Sequence, residues 1–310
     1  MSEGHIVVVV MSAPGRMGFP EQYEVAPAGA LVRLARAATS LVVDGVGAVG
    51  RLGPRTVVLG HWLLPGGVAA HLVAQVAGAE AMTVAHSSAA RMVASLPGPL
   101  ARSLARLGLG PAGTPWIASC QDVADALLKV APAWRHGLSV LPMPTAPPRR
   151  IGLPPAGPPW HIATLGRLVP IKGLSDLVRA VAGRPVHLHI CGEGPERAPL
   201  TALTESLGVP AHFHGVVLGA DKERVLSSVH GLAQPSRVQG ARAEGSPVAV
   251  HEALGYGLPV LVTATGGLPE AAGAGVHVIA EPGAQGLGEA WPVYERALVQ
   301  HWQHRRFAVG

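Results

Sequence analysis

The chain has 310 residues, 48% hydrophobic and 14% charged, with a formal net charge of +5. That length suits two domains of ordinary size, and so apolar a composition argues against disorder. The positive charge suits phosphorylated ligands or an anionic lipid surface; without a Lys/Arg block interleaved with aromatics, it does not suit nucleic acid. Cys120 and Cys191 are too few and too distant for a disulfide framework or a metal knuckle. No apolar run reaches the length of a membrane span, and Met1-Ser-Glu-Gly-His lacks the basic start of a signal peptide. The default expectation is a cytoplasmic protein.

Short strands alternate with helices along the chain, which predicts α/β architecture with parallel sheets covered on both faces. In the first half, strands are expected at Ile6–Val10, Leu41–Val43, Thr56–Leu59, Ala81–Val84, Trp116–Ala118 and Leu138–Leu141. Helices are expected around Ala28–Ala38, Gly67–Ala77 and Val123–Val130. Eight prolines then fall within the eighteen residues Pro142–Pro159 and read as an extended linker. The expected domains are 1–145, a Pro-rich linker over 146–159, and 160–310. In the second half, strands are expected at His161–Leu165, Val186–Ile190, Ala211–His214, Gly231–Ala233, Pro259–Val262 and His277–Ile279. Helices are expected at Leu174–Ala182, Pro195–Leu207, Lys222–Ser228, Val248–Tyr256 and Leu287–Trp302. Two doubly wound domains would set a ligand cleft between the carboxyl ends of two sheets.

Candidate chemistry sits just past the strands. His61 and His86 each follow a strand of the first half; a role near the cleft and a structural role both fit. Asp44-Gly45-Val-Gly47-Ala-Val-Gly50 spells a dinucleotide fingerprint, but Gly53-Pro54 follows where the helix should open, so it reads as a loop. Arg167 and Lys172, in Gly166-Arg167-Leu-Val-Pro-Ile-Lys172-Gly173, suit a diphosphate beside a helix N-terminus, or are solvated cations of a turn. Gly194, in Cys191-Gly-Glu-Gly194-Pro195, lets backbone approach a ligand. His214 closes its strand and could line a nucleotide pocket. In Glu244-Gly245-Ser246-Pro247-Val248, glycine and proline mark a turn that opens a helix, with proline in its first turn. Glu244 then belongs to the loop and Glu252 lies about two turns along the helix. Free N–H groups of Ser246, Val248 and Ala249 would make an anion site. A capped helix with Glu252 on a solvated face fits the same residues.

In this order the motifs resemble the retaining GT-B glycosyltransferases of family 4, the glycosyl transferases group 1. The likeness spans about Trp160–Pro282. It rests on Gly166-Arg167…Lys172-Gly173, Gly192-Glu-Gly194-Pro195-Glu196, Phe213-His214-Gly215 and Pro235-Ser236, followed by Glu244-Gly245-Ser-Pro247 and Glu252-Ala253. Gly257-Leu-Pro259-Val260 and Gly266-Gly267-Leu-Pro269-Glu270 complete it. The first half matches through His61-Trp62 and Ala85-His86-Ser87.

The resemblance implies a GT-B fold of two Rossmann-like domains with a cleft between them, the first of them shortened. It implies hexosyl transfer from a nucleotide-sugar co-substrate with retention, with neither metal nor cofactor. Arg167 and Lys172 would bind the donor diphosphate and Glu252 its ribose. Glu244 would contact the sugar, and Gly245, Ser246, Pro247 and Val248 would supply backbone contacts. His86 resembles the active-site histidine beside the transferred sugar. His61 and Gly15 would lie on the acceptor side, although Ser12-Ala-Pro-Gly15-Arg16 lacks the family's paired glycines. The acceptor would be a glycan, a lipid-linked sugar or a small molecule, as in polysaccharide biosynthesis. The protein would be cytoplasmic, with peripheral contact at the inner face of an anionic membrane. A catalytically silent nucleotide-sugar-binding relative and a sugar-nucleotide epimerase fit the same plan.

Overall fold

The computed structural model describes residues 5–9, 46, 49, 56–145, 152–273 and 275–309. The chain divides into two compact units after Leu141. Gly15, the loop around Gly47, the expected elements Leu41–Val43 and Ala28–Ala38, and part of the expected linker lie outside the described residues.

The first unit is built on a parallel sheet whose strands stand in chain order: β1 (His5–Val9), β2 (Thr56–His61), β3 (Glu80–Ala85), β4 (Trp116–Ala118) and β5 (Leu138–Val140). Helix α1 (Val68–Ala77) follows β2 through a tight turn at Leu63–Gly67, and ends at Gly78 in the left-handed region. Helices α2 (Ser87–Ala94) and α3 (Gly98–Leu109) lie between β3 and β4, where no element was expected, and α4 (Gln121–Val130) joins β4 to β5. The two unexpected helices bury mainly small side chains: Ala89, Ala90 and Val93 from α2, Ala101, Ala105, Gly108 and Leu109 from α3. Alanine carries little hydrophobic signal, and Gly98-Pro99 reads as a turn although proline suits a first helical turn. The helices pack around Trp116 and Trp134, whose indole N–H groups donate to Trp134 O at 2.8 Å and Gly110 O at 3.0 Å.

Among the described residues the second unit holds six parallel strands: β6 (Trp160–Leu165), β7 (Val186–Cys191), β8 (Ala211–Gly215), β9 (Gly231–Gln234), β10 (Val260–Thr263) and β11 (His277–Ala280). Their spatial order is β11-β10-β9-β6-β7-β8, with Ile162 opposite Gly231 and Ala163 opposite Leu232 where β6 meets β9. This is the doubly wound order, and its direction reverses between β6 and β9. Ligands of such sheets bind at the carboxyl ends beside that reversal.

Helices α5 (Leu174–Val181), α6 (Arg197–Ser206), α7 (Gly219–Leu226), α8 (Val248–Gly255), the short α9 (Leu268–Ala272) and α10 (Ala284–Val309) cover this sheet. Helix α10 is longer than expected at both ends and continues through Pro292. It buries Leu287, Trp291, Tyr294, Leu298 and Trp302, one stripe at helical spacing. Tyr294 Oη lies 3.1 Å from Leu232 O and 3.0 Å from Pro259 O. A Cβ on Gly231 would stand 2.1 Å from that hydroxyl, so this strand position has room only for glycine. Among the described residues no helix is long and apolar enough to cross a membrane.

Candidate functional site

In the second unit the loops after β6 and β7 are bonded to one another. Gly166 N donates to Cys191 O at 3.0 Å, Leu168 N to Glu193 O at 2.8 Å, and Glu196 N to Leu168 O at 2.9 Å. Gly192 and Gly194 have φ of 143° and 155°, and a Cβ on them would meet Gly166 O at 1.8 Å and Leu168 O at 2.3 Å. The close backbone approach at Gly194 is therefore to the neighbouring loop. Gly166, Arg167, Lys172, Cys191 and Gln234 line one narrow hollow at the carboxyl ends of β6, β7 and β9. Both cations of the sequence motif thus face the reversal point.

Lys172 ends a single turn, Pro170–Lys172, and Gly173 leaves it in the left-handed region at φ 64°. A Cβ on Gly173 would stand 2.0 Å from Pro235 O. This contact brings the loop after β6 against the loop after β9, and Arg237 N donates to Ile171 O at 2.8 Å across it. Arg237 also forks onto the carboxylate of Asp176, which is 5% exposed in the first turn of α5. That hydrogen bond and charge hold the guanidinium pKa up against burial. Lys172 Nζ, so placed, meets Glu244 Oε2 at 2.6 Å, and Ser236 Oγ donates to the same oxygen at 3.0 Å. The Glu244 carbonyl accepts from Gly267 N at 3.0 Å, in the loop after β10.

Glu252 lies in α8 and forms an ion pair with Lys222 of α7. It sits a little over one turn into the helix, not two, because α8 starts at Val248. Pro247 is the residue before the helix, with extended φ of −76° and ψ of 99°, rather than part of its first turn. Among the described residues no side chain caps that end. Ser246 is turned elsewhere: its Oγ accepts from Met143 N at 3.0 Å and pairs with His251 Nε2 at 3.0 Å. His214 stands apart from Glu244. Its Nε2 lies 3.0 Å from His189 Nδ1, and His189 Nε2 lies 2.8 Å from His161 Nδ1. The three rings line up on one sheet face, and His189 and His214 lie beside Val216, Asp221 and Arg224.

Ser236, Lys222, Asp176 and Arg237 were missed as site residues. Lys222 sits in a charged run, Asp221-Lys222-Glu223-Arg224, that reads as a solvated helix face. Asp176 carried a signal, an acid in the first turn of a helix, Leu174–Val181, that is apolar except for Ser175 and Arg179.

In the first unit His61 ends β2, and His86 follows β3 as the residue that opens α2. Adjacent parallel strands bring the two rings together, with Nδ1 of His61 3.2 Å from Nε2 of His86 and centroids 5.4 Å apart. The Trp62 ring lies 4.8 Å from His86, on a backbone held at φ 73°. Burial, and then the neighbouring His61, push His86 down to about 4; burial also lowers His61. A neutral imidazole with one donor and one acceptor is the result.

Comparison with known proteins decides the class of the second unit. Residues 150–290 match the family described as Glycosyl transferases group 1. They form a glycosyl transferases group 1 domain. A curated relative, the GDP-mannose-dependent monoacylated alpha-(1-6)-phosphatidylinositol monomannoside mannosyltransferase of Corynebacterium glutamicum, is 33% identical over 116 residues. That match covers 35% of this chain and 30% of the relative, less than a third of its length. Among solved structures, Anabaena Alr3699/HepE in complex with UDP matches with a TM-score of 0.63 and 16% identity, over 86% of this chain and 76% of that one. Lipopolysaccharide outer core galactosyltransferase WaaB matches with a TM-score of 0.58 and 17% identity, over 90% and 80%. HepE has also been solved with UDP-glucose. The fold is thus α/β with two parallel sheets, of the GT-B kind.

Proposed function

We propose that this protein is a retaining, metal-independent hexosyltransferase of family 4 that moves a sugar from a nucleotide-sugar donor to an acceptor. One observation carries the reading. Lys172, Arg167 and Glu244 converge where the sheet order reverses, inside the domain matched to glycosyl transferases group 1. Breaking the bond between the anomeric carbon and the diphosphate leaves negative charge on the diphosphate and positive character on the sugar. Arg167, Lys172 and the N–H groups opening α8 would take up the first, the kind of preorganised stabilisation that dominates many enzymes. Glu244 would face the sugar, and Glu252, oriented by Lys222, would accept from the ribose hydroxyls. The acceptor hydroxyl forms the new bond to the anomeric carbon, and its proton passes to the departing diphosphate. His86, neutral at physiological pH, would hold the transferred sugar, with His61 toward the acceptor.

The relative uses GDP-mannose and the HepE structures hold UDP or UDP-glucose, so both donors are candidates. We also propose a cytoplasmic protein that touches an anionic membrane. Helix α3 exposes Leu100 and Leu107 beside Arg102 and Arg106, and residues 81–121 contain no acid. The test is calorimetry with UDP, UDP-glucose, GDP and GDP-mannose, then turnover of whichever sugar nucleotide binds. Binding of none of the four would overturn the proposal.

A further inference from the structure

Gln234 and Ser236 have no part in the reading above, yet both are shut away from solvent beside Glu244, at 1% and 0% exposure. Burying polar side chains is unfavourable unless they are hydrogen-bonded, so their partners are informative. Ser236 Oγ lies 3.0 Å from Glu244 Oε2. A carboxylate only accepts, so the hydroxyl proton points at Glu244. Ser236 Oγ then has only lone pairs for its other neighbour, Gln234 Nε2 at 3.4 Å, which donates to it. Donation therefore runs one way, from the Gln234 amide through the Ser236 hydroxyl to Glu244.

The backbone beneath this relay is held too. Ser236 O accepts from the hydroxyls of Thr263 and Thr265, both buried. Gln234 Oε1 is buried and has no hydrogen-bond partner among the described residues. An unpaired buried acceptor is destabilising, and a leucine would fill the space without one. Packing alone thus does not account for glutamine here; its N–H does. Among the described residues, the hydrogen bonds to the Glu244 carboxylate, from Ser236 and from Lys172, fall on Oε2.

The geometry points to Ser236 and Gln234 as positioning residues that divide the Glu244 carboxylate, Oε2 held by the protein and Oε1 presented to the donor sugar. This rests on the reading of Glu244 as the residue that meets the sugar. Calorimetry on the full chain separates the two claims. In the parent, the sugar nucleotide of the preferred pair (UDP-glucose against UDP, or GDP-mannose against GDP) binds tighter than its nucleoside diphosphate, and Glu244→Gln removes that difference. If the parent shows no difference, or Glu244→Gln leaves it intact, the reading of Glu244 fails and the inference with it.

Where Glu244→Gln does remove it, Ser236→Ala is expected to weaken the sugar nucleotide about tenfold, the scale of one charge-assisted hydrogen bond. The nucleoside diphosphate should change by less than about twofold, its contacts with Lys172 being retained. Gln234→Met keeps the volume and loses the N–H. It should act in the same direction by about threefold, and it carries the test if Ser236→Ala does not fold. Equal losses for both ligands of the pair would indicate general loosening of the site and overturn the inference. So would wild-type sugar-nucleotide affinity in both variants.

Discussion

Lys172 Nζ lies 2.6 Å from Glu244 Oε2, although 72 residues separate them in sequence. The cation proposed for the diphosphate and the carboxylate proposed for the sugar hold each other, with side chains only 17% and 19% exposed. Removing one partner of so secluded a pair leaves the other unbalanced. Lys172→Ala should weaken nucleoside-diphosphate binding by roughly 1.5–3 kcal/mol and lower the melting temperature. Adding Glu244→Gln should restore part of the lost stability, since the stranded charge is gone. Calorimetry and thermal melts on the two variants check both parts. Unchanged affinity in a folded Lys172→Ala protein would take Lys172 out of the site.

Glu252 and Lys222 form the second pair. Glu252→Gln keeps the shape but accepts more weakly from a ribose diol, so nucleoside-diphosphate affinity should fall while inorganic diphosphate is unaffected. Lys222→Met should act in the same direction, because Glu252 loses the group that orients it. Titrating UDP or GDP alongside inorganic diphosphate decides the matter. An equal loss for both ligands would place Glu252 at the phosphates instead.

His86→Ala is expected to leave nucleoside-diphosphate affinity nearly intact and to depress transfer, the pattern of an interaction made mainly in the transition state. A histidine that only opens α2 would behave differently: the variant would lose melting temperature and keep its turnover. Melting temperature, nucleotide affinity and turnover measured on one preparation separate these outcomes.

The histidines of β6, β7 and β8 should make the second unit sensitive to acid. Burial, and then the charges of His161, His187, His214 and His212, push His189 down to about 3. The folded state therefore resists a proton that the unfolded chain takes up near 6.5. The contribution is complete above pH 6.5 and is lost progressively as pH falls from there toward 3. Urea unfolding should show lower stability at about pH 5 than at about pH 7. His189→Gln keeps a donor and an acceptor but cannot be protonated, and should flatten that dependence. An unaltered slope in His189→Gln would show that other groups set it.

Gly231→Ala tests the packing of α10. The new Cβ would stand 2.1 Å from Tyr294 Oη, and such overpacking costs about 1–3 kcal/mol or more. Tyr294→Phe in the same chain removes the colliding oxygen and should recover part of the loss. Denaturant midpoints of the single and double variants are the measurement.

Most of the architecture was legible in the chain because the signals are local. Alternation in Val186-His-Leu-His-Ile-Cys191 and the apolar run Val260–Thr263 mark buried strands whatever surrounds them. Left-handed glycines such as Gly173 and Gly257 mark turns. The motif Gly166…Lys172 could be placed past a strand from spacing alone. Helices α2 and α3 were not legible, since their buried faces are mainly alanine and glycine, with Val93 and Leu109, and their support comes from Trp116 and Leu127 elsewhere in the unit. Nor could the sequence show which charges meet. Lys172 with Glu244, Glu252 with Lys222, and Arg237 with Asp176 are pairs 72, 30 and 61 residues apart. The first and third depend on the strand order β9-β6-β7, which places the ends of β6 and β9 side by side, and the second on the packing of α7 against α8, which lie on either side of β9 in the chain. Residue types and local turns were therefore determined by the sequence itself. Which carboxylate each cation holds, and which oxygen of Glu244 remains for a ligand, was decided only by the tertiary structure, because hydrogen bonds act over about 3 Å and only folding brings such distant residues that close.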